Sequence, residues 1–239
     1  MKEQPKLNVS IKRPLINLSL DIEGIRHWIF EHGHNDYYSS IKYYISEEQL
    51  PIVGVNILLL EDRRFFKHGG AEIWAIPRGL RYYLKRHKFG GISTIEQQLV
   101  RTIRKRREYT ISRKFSEITL SILMNFHFTK AEILTTYLNC VYFGPHMNGV
   151  DTAALVSFGV PAISLTEEQA DFIACLLPTP MPRNIALSLR KYGPALNPET
   201  ILTNFELTNP WWVNSVRTRN RVLSLAKIKY SKLYAKASR

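Results

Sequence analysis

The run from Glu61 to His68, EDRRFFKH, concentrates the residue types that perform acid–base chemistry. Adjacent carboxylates, two arginines and a histidine directly follow the apolar segment 50–60, LPIVGVNILLL. A carboxylate at the end of a buried apolar helix is costly unless it has a partner or a chemical task. The pattern favours Glu61 as a general base. The alternative is a solvated, charged helix end.

The segment 90–101, GGISTIEQQLVR, has the composition of a ligand-binding loop and helix start. Its two glycines permit close approach of the backbone to a ligand. Ser93 and Thr94 are suited to cap the helix that follows, and a helix N-terminus favours an anion. Gln97 and Arg101 are four residues apart, so they share a helix face. The alternative is an ordinary capped helix.

A third segment, RKFSE at 113–117, supplies a second carboxylate among cations. Arg113 and Glu117 have the i,i+4 spacing of an ion pair, which alone indicates a solvated salt bridge. Together with the first two segments, it predicts that Glu61 and Glu117 face each other across a cleft lined with Arg and Lys. Paired carboxylates are usual in glycosyl chemistry. The basic cleft suits a pyrophosphate leaving group, because Arg and Lys stabilise charge that develops on phosphate oxygens.

Helical periodicity dominates the elements that must position these residues, and strand signals are weak throughout. Ser46–Gln49, SEEQ, predicts a capping box at the start of a helix that runs through the apolar segment to Glu61. Thr166–Gln169, TEEQ, predicts a second box, ahead of a helix that ends at Pro178. Further helices are predicted at 73–88, from 94 onward, at 115–128 continuing over 130–139, and at 213–235, with loops at 143–149 and 178–208. The predicted fold is mainly α, one domain with two lobes around a cleft.

Composition restricts the partners and the compartment. The 239-residue chain is 45% apolar and carries a formal net charge of +13, which favours anionic partners over a neutral surface. Nucleic acid, an acidic membrane surface and a phosphorylated substrate all fit that charge. Cys140 and Cys175 lie in apolar stretches and are expected to be buried free thiols. No stretch reaches the roughly 18–20 apolar residues of a membrane span, so the chain is expected to be soluble or to lie on a membrane.

Four motifs in series resemble the signature of the peptidoglycan glycosyltransferases. These are the polymerase domains of class A penicillin-binding proteins and the monofunctional transglycosylases, or family 51 transglycosylases. Residues 61–70 match the first motif, approximately EDxxFxxHxG, at every fixed position. Residues 90–102 are similar to GGSTITQQLxKN, and RKxxE is present at 113–117. Residues 130–154 are similar to KxxILxxYLNxVYFGxxxxGxxxAA. The chain departs from the pattern at several positions, among them Thr102, Glu96 (where a small or polar residue is usual) and Thr135.

This resemblance implies a lysozyme-like, bilobal, mainly α domain at 45–239, with a small membrane-facing jaw and a basic C-terminal helix. Residues 1–44 are expected to form an N-terminal arm and a poorly assigned segment. The implied reaction is an inverting transfer that polymerises lipid II, a lipid-pyrophosphate disaccharide, into glycan strands. The implied partners are lipid II, the nascent glycan strand, an anionic membrane surface and other cell-wall synthesis proteins, and not nucleic acid. The implied location is the periplasmic or extracytoplasmic face of the membrane.

The resemblance also assigns roles to residues. Glu61 removes the proton from the acceptor's sugar hydroxyl, whose oxygen attacks the anomeric carbon and expels the lipid pyrophosphate. Glu117 orients the site or holds a divalent cation, Mg²⁺ or Mn²⁺, near the pyrophosphate. Two other readings stay open: a lysozyme-like glycan hydrolase and a non-catalytic cell-wall scaffold. The residues expected to bind substrate or support the site are Asp62, Phe65, His68, Arg78, Ser93, Thr94, Gln97, Gln98, Arg101, Arg113 and Lys114.

Overall fold

A computed structural model describes residues 21–29, 50–72, 93–104 and 111–231. The described chain is mainly helical, which confirms the predicted fold class. The helices, numbered here in chain order, are α1 (21–29), α2 (Ile52–Glu61), α3 (Ile95–Arg104), α4 (Ile111–His127), α5 (Lys130–Cys140), α6 (Val150–Phe158), α7 (Glu167–Cys175), α8 (Arg183–Tyr192), α9 (Pro198–Phe205) and α10 (Pro210–Lys229). Short 3₁₀ turns occur at Phe65–Lys67 and Ala162–Ser164.

Helix α2 lies at the centre of the core. Its residues from Val53 to Leu59 are all buried, and it packs against α7 and α10. A helix that is apolar on all sides must be enclosed by its neighbours. Because α2 is enclosed along its length and ends at Glu61, as the sequence predicts, it delivers that carboxylate from a rigid element.

Helix α3 packs between α4 and α5. It buries Ile95, Leu99 and Val100 and leaves Gln98 and Arg101 half-buried. The apolar stripe thus fixes the rotation of the helix, and the polar residues of the second motif lie beside it. None of the helices in the described ranges combines the length and apolarity that crossing a bilayer requires.

The segment predicted as a loop at 143–149 contains a two-stranded antiparallel hairpin, β1 (Tyr142–Gly144) with β2 (Met147–Asn148). Gly149 follows with φ 82°, and a Cβ there would clash with the carbonyl of Asn139. The close approach between this turn and the end of α5 therefore requires glycine. The strands are too short to give a sequence signal.

The predicted start of α2 is wrong. Leu50 is not helical, and Pro51 is the extended residue that precedes the helix, so α2 begins at Ile52. Proline restricts the residue before it to extended conformations, which prevents a helix from entering Pro51. The predicted capping box at 46–49 and the predicted helix at 73–88 lie outside the described residues.

The predicted loop at 178–208 is also wrong, since it contains α8 and α9. Its prolines mark helix starts: Pro182 immediately precedes α8, and Pro198 opens α9. Proline is tolerated there because the first turn of a helix needs no N–H donor. Helix α10 likewise opens at Pro210 and ends at Lys229, instead of spanning 213–235.

Two capping boxes separate helices where the chain turns. The predicted box at Thr166 and Gln169 is confirmed. A second box, at Thr129 and Glu132, starts α5. The helix predicted at 115–128 therefore does not continue into 130–139; the two are separate helices. In each box the hydroxyl accepts from the N3 backbone amide and the N3 side chain accepts in return. Cys140 and Cys175 are buried free thiols, as predicted.

Candidate active site

Glu61 lies at the end of α2 and contacts two other helices. Its Oε2 accepts a hydrogen bond from Gln98 Nε2 of α3 at 3.0 Å, and its Oε1 accepts one from Arg219 Nη2 of α10. The carboxylate side chain keeps 17% of its surface exposed. Donors from two helices thus fix the orientation of the Glu61 carboxylate, and part of its surface remains open to solvent.

Tyr137 fixes the orientation of the Gln98 amide. Its hydroxyl donates to Gln98 Oε1 at 2.7 Å. Burial, reinforced by the charge of Glu61, raises the pKa of Tyr137 well above its ordinary value, so the hydroxyl stays a donor. With the amide oxygen facing Tyr137, the amide nitrogen must face Glu61.

Asp62 and His68 are enclosed residues of the first motif that support its position against α3. Asp62 Oδ2 accepts from the backbone N–H of Ile95 at 3.0 Å, which satisfies a donor at the start of α3. His68 Nε2 lies 3.0 Å from both oxygens of Asp62, and Nδ1 accepts from the N–H of Gly70 at 3.2 Å. The proton of a neutral His68 therefore lies on Nε2. Both side chains are almost fully enclosed, and they fix the helix that carries Gln98.

Phe65 and Thr94 also act as supports. Phe65 is buried, and the Lys130 ammonium lies 4.5 Å from the centre of its ring. Thr94 Oγ1 accepts from the N–H of Gln97 at 3.3 Å and donates to the carbonyl of Gly70 at 2.7 Å. Thr94 thereby caps α3 and ties it to the segment after the first motif.

Glu117 lies on α4 in a cationic environment. Its Oε1 accepts from Arg101 Nε at 3.2 Å and from Arg113 Nη1, and Lys114 Nζ lies 3.7 Å from its Oε2. Only 3% of this side chain is exposed. Among the described residues, three cations therefore surround this one carboxylate beside α3.

Ser93 and Gln97 complete the cationic cluster. Lys114 Nζ donates to Ser93 Oγ at 2.9 Å and to Gln97 Oε1 at 2.5 Å, and Arg101 Nη2 donates to Ser93 Oγ at 3.1 Å. Burial, opposed by Glu117 and reinforced by Arg101 and Arg113, lowers the pKa of Lys114 from 10.5 to about 8. The cluster places several cationic donors together, as an anion-binding site requires.

Helix α3 joins the two carboxylates into one site. Gln98 contacts Glu61, and Arg101, about one helical turn further along, contacts Glu117. The structure thus brings together all but one of the residues predicted to bind or support the site. The exception, Arg78, lies outside the described residues.

Sequence reasoning missed Arg219 and Tyr137. Arg219 was read only as part of a basic helix. It lies three and four residues from the buried Val216 and Leu223, and a charge on an inward-facing position indicates an internal partner. Tyr137 was read as core packing, and nothing in its spacing points to Gln98, from which it is separated by 39 residues.

Comparison with known proteins gives the family. Residues 35–199 match the Transglycosylase family. The chain is 35% identical to a biosynthetic peptidoglycan transglycosylase of Aeromonas hydrophila over 124 residues, which are 52% of this chain and 53% of the relative. It is 35% identical to penicillin-binding protein 1A of Aquifex aeolicus over 164 residues, 67% of this chain and 21% of the relative. It is also 34% identical to penicillin-binding protein 1A/1B of Bacillus subtilis over 188 residues, which are 77% of this chain and 18% of the relative.

The matched part of the chain spans about half the length of the biosynthetic peptidoglycan transglycosylases it resembles, 53% and 58% for two of them. The family match covers more than half of this chain and contains both carboxylates, the cationic cluster and α3. The chain therefore belongs to the Transglycosylase family.

Proposed function

We propose that the protein is a peptidoglycan glycosyltransferase that polymerises lipid II into glycan strands with inversion at the anomeric carbon. The observation that carries the proposal is the contact of one helix with two differently charged regions. Through Gln98, α3 holds Glu61; through Arg101, it contacts Glu117 within the cationic cluster. A base next to an anion-binding cluster suits attack by a sugar hydroxyl with departure of a pyrophosphate.

Glu61 acts as the general base. Arg219 and Gln98 orient its carboxylate, and a remaining lone pair accepts the proton of the acceptor's sugar hydroxyl. The hydroxyl oxygen then attacks the anomeric carbon of the donor from the face opposite the leaving group, which gives inversion. General-base assistance of this kind contributes about 10²–10⁴-fold to a rate.

The cationic cluster binds the pyrophosphate of the donor. Arg101, Arg113 and Lys114 converge on Glu117, and their clustered N–H donors suit the oxygens of a pyrophosphate. As the glycosidic bond breaks, negative charge increases on the departing phosphate oxygen, and donors already in place stabilise it without reorganisation. Glu117 keeps the three cations together when no substrate is bound.

A divalent cation, Mg²⁺ or Mn²⁺, fits Glu117 only together with substrate. Glu117 Oε2 has no hydrogen-bond partner among the described residues, which leaves lone pairs for a metal. The surrounding cations oppose a second positive group in the free protein. We propose that any metal binds with the pyrophosphate, whose negative charge removes that opposition.

Helix α4 presents an apolar face that suits a lipid substrate. Phe115 and Phe126 are 71% and 78% exposed, and their separation of eleven residues places them on the same side of the helix. Phe115 directly follows Lys114 of the cationic cluster. Exposed aromatic side chains on a chain with a formal net charge of +13 favour an anionic membrane surface, on the extracytoplasmic face where the family's substrate resides. The nascent strand and other cell-wall synthesis proteins are the further partners proposed.

A lipid II polymerisation assay tests the proposal. Wild-type protein is expected to produce glycan strands, whereas Glu61→Gln is expected to produce almost none. Vigorous polymerisation by Glu61→Gln would remove Glu61 from the role of base. Release of muropeptides from purified sacculi, with no polymer formed from lipid II, would replace the proposed transferase by a glycan hydrolase.

A further inference from the structure

A third buried carboxylate, Glu96, lies behind the site. It occupies the first turn of α3, two residues before Gln98, and has no exposed surface. The family pattern has a small or polar residue at this position, so the motif does not account for it. Taking a carboxylate out of water is unfavourable unless it is neutralised and hydrogen-bonded, and its partners therefore indicate what it does.

Lys130 neutralises Glu96. The Lys130 ammonium, at the start of α5, hydrogen-bonds Glu96 Oε1 and lies over the ring of Phe65. Asn125 Nδ2 of α4 lies 3.5 Å from the same oxygen, and His68 Nδ1 lies 3.9 Å from it. Glu96 is thus the point where the first motif, α3, α4 and α5 meet.

A metal ion is a poor alternative to this arrangement. Asp62, His68 and Glu96 each place one ligand atom within 4.8 Å of the others. However, both nitrogens of His68 are engaged, Nε2 with Asp62 and Nδ1 with the Gly70 N–H. The Lys130 ammonium already supplies the cation that the carboxylates require.

The Glu96 cluster consists of Glu96, Lys130, Asn125 and His68. It supports both residues of the contact between Gln98 and Glu61. On one side, His68 holds Asp62, which adjoins Glu61 in the chain and caps Ile95 at the start of α3. On the other side, Glu96 holds the first turn of α3 against α5, and Gln98 follows within the same turn. We infer that Glu96 and Lys130 are positioning residues, which hold α3 so that Gln98 orients the carboxylate of Glu61. This inference rests on the proposed function of Glu61.

The experiment compares Glu96→Gln with Asp171→Asn in the full chain. Asp171 is a matched control, because it is a half-buried carboxylate that also pairs with a lysine, Lys227, and accepts from an asparagine, Asn56. We expect Glu96→Gln to lower kcat by about 10- to 100-fold, since small misplacements of a catalytic group have effects of that size. The KM for lipid II should change less than about threefold, because the anion-binding side chains are untouched. Asp171→Asn should lower the unfolding temperature without that loss of kcat.

A second measurement, made on the free protein, does not depend on catalytic turnover. The side-chain amide resonances of Gln98, assigned by their loss in Gln98→Glu, report its contact with Glu61 in the free protein. Glu96→Gln and Lys130→Met should shift them, and Asp171→Asn should not. Unshifted resonances, an equal loss of kcat in Asp171→Asn, or a rise in KM alone would overturn the inference. Should wild type fail to polymerise lipid II, the proposed function fails, and the resonances alone decide whether Glu96 positions Gln98.

Discussion

The two carboxylates of the site belong to the same residue type and lie against the same helix, but their surroundings differ. Among the described residues, Glu61 pairs with one cation, Arg219, and its side chain is 17% exposed. Glu117 faces Arg101, Arg113 and Lys114 and keeps 3%. A partly open carboxylate with one cation can exchange a proton with a substrate. A buried carboxylate shared by three cations is suited to act as a counterion, and this difference in environment supports the different roles proposed for the two residues.

Neutralising each carboxylate in turn gives the largest expected contrast. Glu61→Gln should lower kcat by about 10²–10⁴-fold and leave the fold nearly as stable, because its partner Arg219 can reach water. Glu117→Gln should instead lower the free energy of unfolding by about 3–5 kcal/mol, since it leaves buried cations without their counterion. Chemical denaturation and lipid II turnover measure the two effects. If Glu117→Gln kept full stability and lost all activity, the proposed division of roles would be reversed.

The cationic region should respond to pH through Lys114. Burial lowers its folded-state pKa from 10.5 to about 8, so the ammonium is present below pH 8 and is lost as the pH rises above it. Affinity for a pyrophosphate-containing donor should therefore fall by up to about tenfold per pH unit above pH 8, until the pH reaches the higher pKa of the bound state. Lys114→Arg, which retains its charge, should abolish the dependence. A pH-independent affinity in wild type would show that Lys114 does not contact the anion.

Lys114 also makes the free energy of unfolding depend on pH, and the sign of that dependence follows from its lowered pKa. Between pH 8 and 10.5 the unfolded chain binds a proton at Lys114 that the folded chain has lost. The contribution of Lys114 to the free energy of unfolding therefore rises with pH in that window. Subtracting the pH profile of Lys114→Met from that of wild type isolates this contribution.

The cationic region was easier to predict from the sequence than the surroundings of Glu61. Arg113, Lys114 and Glu117 lie within one turn of one helix, and Gln97 and Arg101 lie within one turn of another, so helical spacing alone brings them together. The position of Glu61 at the end of α2 also followed from the apolar run before it. The contact of Glu61 with Arg219 could not be predicted in this way. The two residues are 158 positions apart, and their contact depends on how α10 packs against α2.

Prolines explain the errors in the fold prediction. They were interpreted as loop residues at 178–208, whereas Pro182 and Pro198 stand at helix starts. Periodicity cannot distinguish the two cases when the helices are as short as α9. The same ambiguity placed the start of α2 too early, before Pro51.

Arg219 tests the surroundings of Glu61 directly. Arg219→Met removes the charged hydrogen bond to Glu61 Oε1, and kcat should fall by about tenfold, the equivalent of one hydrogen bond to a charged group. Arg217→Met is the matched control two residues away, since Arg217 pairs with Glu199 and Glu206 instead. Equal activities of the two variants would contradict the assignment of Arg219 to the site.

The smallest expected effect concerns the orientation of the Gln98 amide. Tyr137→Phe removes the donor to Gln98 Oε1, so the amide is free to turn its oxygen towards Glu61, where the two oxygens repel each other. We expect kcat to fall about three- to tenfold and the free energy of unfolding to fall by about 1 kcal/mol. Tyr142→Phe, which alters an exposed tyrosine of the hairpin, is the control. If Tyr137→Phe lost stability but no activity, Gln98 would not need Tyr137 to face Glu61, and Arg219 alone would be enough to orient the Glu61 carboxylate.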